Sequence, residues 1–150
     1  MKRIGVGLAV GLVILAMTSV IVFAAAQKVN LVPCPVNYPP GSSSPPGGGF
    51  VIFNNPKGMN VNLVVTVSLK GVEPKTSYDI YVFVDNAWLN ATKAGTIKTN
   101  AQGNANFHLN ALLTKGEHIL ALDVTKAGSG SDAYETPGIH QGQGTLMIFK

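Results

Sequence analysis

Residues 59–70 read MNVNLVVTVSLK, and Val61, Leu63, Val65, Val67 and Leu69 recur at a strict spacing of two. Asn60, Asn62, Thr66, Ser68 and Lys70 stand between them. Successive side chains of an extended strand point to opposite sides, so this spacing puts the apolar set on one face and the polar set on the other. A helix would scatter the same residues around its axis. Val64 interrupts the polar face once, and β-branched residues at 61, 64, 65, 66 and 67 strengthen the strand preference. A half-buried strand of an antiparallel sheet is predicted, and its apolar face needs a second layer to cover it.

Outward from this strand the chain alternates short strand patterns with turn signals. Residues 50–54 (FVIFN) are a strand ended by the turn Asn55-Pro56-Lys57-Gly58. After a reversal over residues 71–76, residues 77–85 place Tyr78, Ile80, Val82 and Val84 on one face. Residues 95–99 and 104–109 flank the turn Asn100-Ala101-Gln102-Gly103, with Ala105, Phe107, Leu109 and Ala111 inward and Asn104, Asn106, His108 and Asn110 outward. Residues 118–124 contribute Leu120, Leu122 and Val124, and residues 145–149 close the chain. About seven strands in about 100 residues, with no amphipathic helix among them, predict an all-β, antiparallel sandwich over residues 50–150. A domain of that size buries roughly two-thirds of its unfolded surface.

Within this run, Leu69, Val72, Pro74, Thr76, Tyr78 and Tyr81 resemble the L-x-x-L-x-P-x-T-x-Y passage of fibronectin type III and related immunoglobulin-like domains. The resemblance implies a sandwich and a tyrosine corner, in which a tyrosine hydroxyl returns to the backbone. It implies nothing about a ligand.

The other end of the chain speaks to compartment. Met1-Lys2-Arg3 precedes residues 4–26, which carry no charge and end Ala24-Ala25-Ala26 before Gln27. A basic start, an apolar run and a small-residue site describe a secretory signal, while the length of the run also suits an N-terminal membrane anchor over residues 1–26. Either reading exports the remainder to the cell surface or the extracellular space. The arrangement is also similar to a pilin-type filament subunit. Residues 27–49 follow as a tether: residues 27–33 allow a short strand, and CPVNYPPGSSSPPGGG over 34–49 is linker in composition.

Composition excludes several classes. Only 12% of residues are charged, and the net charge of +4 comes from isolated lysines and the leader, without the basic patch that nucleic-acid binding requires. One cysteine, Cys34, excludes a disulfide framework and any multi-cysteine metal site. Cys34 reads as a free or intermolecularly paired thiol, since Pro33 before it does not suit lipidation. No G-x-S-x-G elbow frames Ser129 or Ser131, and no closing loop groups cysteine, histidine and methionine for copper. No catalytic residue, metal or cofactor is expected.

Two places hold residues that the core does not require. Residues 126–144 (KAGSGSDAYETPGIHQGQG) form the longest stretch without a strand pattern and carry Asp132, Tyr134, Glu135 and His140. Trp88 stands among polar residues in another connection, a platform on which a sugar ring can stack. Asn90-Ala91-Thr92 is a glycosylation sequon. The expectation is an exported, non-catalytic β-sandwich with a structural, adhesive or protein-interaction role, its partners other surface proteins or glycans. A carbohydrate-binding module using Trp88 and a filament subunit are the alternatives.

Overall fold

The computed structural model describes residues 26–37, 43, 45–56, 62–88 and 93–149. The leader, the sequon at Asn90 and most of the Pro/Gly/Ser stretch lie outside them. Among the described residues no helix is long and apolar enough to cross a membrane. They form ten strands: β1 (Ala26–Pro33), β2 (Gly48–Asn54), β3 (Asn62–Lys70), β4 (Ser77–Val84), β5 (Ala87–Trp88), β6 (Gly95–Lys98), β7 (Ala105–Leu112), β8 (Gly116–Lys126), β9 (Asp132–Glu135) and β10 (Thr145–Phe149). A 3-10 turn spans Ile139–Gln141.

The strands join in the order β5-β4-β8-β9-β1-β2-β3-β7, with β10 on β8 and β6 on β4. Every pairing is antiparallel. The path curls until its ends nearly meet: a Cβ built on Gly95 of β6 would stand 2.6 Å from the Phe107 ring of β7. A larger residue at this position would have to displace that ring, so glycine lets β6 lie close against β7 here.

β3 sits between β2 and β7 as its alternation predicts, with Leu63, Val65, Val67 and Leu69 buried. Val51 and Phe53 of β2 join them from one side, and Ile80, Val82, Leu120, Leu122 and Val124 face them from β4 and β8. Met147 and Phe149 of β10 complete the same core, whereas Leu146 points outward. At roughly 1.5–3 kcal/mol per fully buried aliphatic or aromatic side chain, this shared core is what holds the fold.

Three strands stand outside the seven expected over 50–150. The short strand allowed over 27–33 of the tether is present and belongs to the sheet: β1 pairs with β2 from Ala26↔Asn54 to Leu31↔Gly49, and its end meets β9 at Val32↔Glu135 and Pro33↔Tyr134. The unpatterned 126–144 stretch contains β9 and the 3-10 turn. β5 is a two-residue partner of β4, joined to it by Asp85 and Asn86, both at positive φ (52° and 64°) as a two-residue hairpin turn requires.

That turn also builds an ion pair. Asp85 accepts the Ile119 amide at 2.9 Å and holds His118 Nδ1 at 2.7 Å, while His118 Nε2 lies 3.0 Å from the Thr114 carbonyl. Both ring nitrogens therefore face acceptors, which favours the imidazolium. The Ile119 amide, working against burial and aided by His118, holds the Asp85 carboxyl below its ordinary value. Burial lowers the His118 imidazole, but Asp85 and the Thr114 carbonyl outweigh it and raise it above 6.5. A raised histidine stabilises the fold fully below its unfolded value and loses that contribution as pH rises through its folded value. The aspartate's contribution is present above its unfolded value and fades as pH falls through its folded one. The unfolding midpoint of the wild type is expected to drop between pH 6 and pH 8, and His118→Gln to shrink that drop. An equal drop in the variant would show that His118 does not carry it.

Candidate metal centre

Paired residues of neighbouring strands share a face, and the register Asp123↔Glu135 sets these two carboxylates side by side on the outer face of the sheet. A bulge between Val124 and Thr125 then brings Asp132 opposite Thr125, whose hydroxyl donates to Asp132 Oδ1 at 2.7 Å. Tyr81 pairs with Asp123 from β4. One step past β1, the Cys34 amide donates to the Ala133 carbonyl at 3.2 Å, which continues the strand line and turns the thiol to the side opposite Pro33.

The outer face is covered at this point by residues 136–144. Thr136 is tied to β8 twice, its amide to the Leu122 carbonyl at 2.9 Å and its hydroxyl to the Leu122 amide at 3.0 Å. The 3-10 turn that follows is bounded by Gly138 and Gly142 at φ 80° and 68°, left-handed values that other residues adopt only with strain. This pair of glycines folds the segment back so that His140 returns over the sheet.

Three side chains from separate segments thus converge. Cys34 Sγ lies 3.6 Å from His140 Nε2, and that nitrogen lies 2.8 Å from Glu135 Oε2. One ligand atom from each falls within 4.8 Å of the others. Cys34 is fully buried and Glu135 is 2% exposed, whereas the His140 side chain is 43% exposed. Despite its approach to the imidazole, Glu135 Oε2 makes no hydrogen bond, and neither does Asp123 Oδ1 on the next strand. Asn37 Nδ2 points at the sulfur from 3.8 Å while donating to the Asp132 carbonyl at 2.9 Å.

The electrostatics are those of crowded acids. Burial above all, then the hydrogen bond and charge of Glu135, push the Cys34 thiol up to about 11 against the backbone amides of Asn37 and Val36. Burial, followed by Asp132 and Glu135, pushes Asp123 up to about 7, with His140 opposing. A cleft of about 300 Å³ opens over Asp123, lined by Phe83, Asn86, Ile139, His140 and Gly142.

The residues singled out from sequence separate accordingly. Glu135 and His140 meet at the centre, and Asp132 lies on the same face near its edge. Tyr134 does not join them: paired with Val124, it turns inward, is fully buried, and donates its hydroxyl to the Pro46 carbonyl. Trp88 pairs with Phe83 across the β4–β5 hairpin, and Asn86 of the same turn lines the cleft. A Cβ on Gly142 would stand 3.2 Å from Asn86 Nδ2, so the hairpin that leads to Trp88 and the 136–144 segment come to one end of the molecule. Sequence reasoning missed Cys34, set aside as part of a tether, and Asp123, taken as an ordinary strand residue. An aspartate within a strand between Leu122 and Val124 was the one available signal for the latter. No family model, curated protein or solved structure matches the chain.

Proposed function

We propose that this chain is an exported, non-catalytic β-sandwich of immunoglobulin-like or fibronectin type III-like kind, working at the cell surface or outside the cell as a binding protein, with the cleft over Asp123 and His140 as its binding site. The observation that carries the reading is the convergence of Cys34, Glu135 and His140 beside that cleft. None of the three belongs to the main apolar cluster, and buried polar groups cost stability unless they are satisfied.

Export is supported by the leader itself: residues 4–26 carry no charge, follow Lys2 and Arg3, and end in the small-residue run Ala24-Ala25-Ala26. A sandwich is supported by the division of the strand path into β1-β2-β3-β7 and β9-β8-β4 halves, whose inward faces share one core. A glycan ligand is the second reading, favoured by the meeting of the Trp88 hairpin with residues 136–144.

Cell fractionation with N-terminal sequencing tests export. The expected product starts at Gln27 in the extracellular or surface fraction, or retains Met1 in the membrane fraction with its β domain accessible to added protease. A protease-protected protein in the cytosol would overturn the reading. A retained leader in surface filaments would move it to the filament alternative.

A further inference from the structure

The site carries a chemical signature of its own, and from it we propose that Cys34, Glu135 and His140 bind one divalent transition-metal ion of the zinc class. The inference rests on the cleft being the binding site, and names its ligand.

The donor set is the first ground. Thiolate and imidazole select zinc-class ions over calcium or magnesium, and a carboxylate is a common third zinc ligand. Geometry is the second. With Zn–S at about 2.3 Å and Zn–N at about 2.0 Å, tetrahedral coordination sets sulfur and nitrogen about 3.5 Å apart. Cys34 Sγ and His140 Nε2 are 3.6 Å apart before any ion is present. Nitrogen and oxygen ligands stand about 3.3 Å apart in such a site. His140 Nε2 and Glu135 Oε2, at 2.8 Å, need to separate by about half an ångström, which the half-exposed imidazole can supply.

The third ground is the state of the buried groups. Glu135 Oε2 lies buried at the centre beside the His140 nitrogen, and Asp123 Oδ1, one strand away, is buried with no hydrogen bond. A plain ion pair explains His140 beside Glu135. It does not explain a fully buried thiol in contact with the same nitrogen, or a second buried carboxylate. Lys93 pairs with Asp79 and Lys126 with Glu73. A divalent cation would neutralise the thiolate and the carboxylate together. Asn37 Nδ2, aimed at the sulfur, is then an outer donor of the kind that orients metal ligands. Three protein ligands leave one tetrahedral position for water or for a ligand entering by the cleft, whose wall includes His140 and Asp123.

The test uses the full-length chain in mild detergent, stripped with chelator and titrated with Co²⁺ and then Zn²⁺. One equivalent of cobalt is expected to give a thiolate-to-metal charge-transfer band with intense tetrahedral visible bands, both abolished by one equivalent of zinc. Cys34→Ser should remove the charge-transfer band, and His140→Ala should weaken cobalt binding by about tenfold or more. Because the His140 side chain is half-exposed, its variant should keep the wild-type far-ultraviolet spectrum, and zinc should raise the unfolding midpoint of the wild type but not of this variant. Folded wild type without cobalt bands, or bands that persist in both variants, would overturn the metal site. Export is measured separately: an exported protein that takes no cobalt loses only this inference, and a cytosolic one that takes it loses only the export reading.

Discussion

A chain cut to residues 50–150 is expected to lose cooperative folding, while residues 26–150 unfold in one transition. The cut removes β1, the strand that links β9 to β2 along the strand order. Two strand edges, those of β2 and β9, would then present unpaired backbone groups, a template for aggregation. The core would lose Leu31, and the outer face Cys34 and the Lys28 ammonium that stands 4.1 Å over the Phe50 ring. Tyr134, fully buried, would lose the Pro46 carbonyl that accepts its hydroxyl hydrogen bond. Burying Leu31 alone is worth about 1.5–3 kcal/mol, and the lost Tyr134–Pro46 hydrogen bond about 0.5–1.5 kcal/mol more. Against a net stability of about 5–15 kcal/mol, these losses together with a missing ladder remove most of the margin. Far-ultraviolet circular dichroism and thermal unfolding of the two fragments decide it. Equal midpoints would show that β1 contributes nothing to the domain.

That expectation reverses the one the composition suggests, and the reason is physical. β3 was legible because one of its faces meets the core and the other meets solvent, so burial writes itself as period two in Leu63, Val65, Val67 and Leu69. β1 carries the same alternation in Val29 and Leu31, but it is short and runs into proline, glycine and serine. Local pattern alone could not say whether it docks on its own sheet. β9 is covered on both sides, by the core and by residues 136–144, so Ala133, Tyr134 and Glu135 are all buried and no alternation survives. The centre was harder still. Cys34 and His140 are separated by 106 positions, and no spacing motif spans such a gap. What sequence did offer was the long unpatterned stretch over residues 126–144, and two of its four candidate residues, Glu135 and His140, are at the centre. Tyr134 was grouped with them by proximity in the chain, although strand alternation sends it to the opposite face.

Val65→Asp is expected to abolish cooperative folding, and Thr66→Asp to leave it nearly intact. The two positions are neighbours on β3 and differ only in the face they present. Val65 is fully buried, opposite Phe53 on β2 and Leu109 on β7, at the middle of the central apolar face. An aspartate there either ionises in a dry interior or is held neutral without a hydrogen-bond partner, and it removes a close-packed branched side chain as well. Several kcal/mol are lost on either route, a large share of the net stability of a domain this size. Thr66 lies half-buried on the outer face, opposite Ile52 and His108, with its hydroxyl 3.1 Å from His108 Nδ1. Aspartate at 66 keeps an acceptor for that nitrogen and stays within reach of water, so its cost is that of a surface change, about 0.5 kcal/mol with a further loss of strand preference below about 1 kcal/mol. Urea unfolding of both variants beside the wild type measures the difference. A Val65→Asp protein with a sigmoidal transition near that of Thr66→Asp would mean that the apolar face of β3 does not look into the core, and the sheet order built on that face would fall with it.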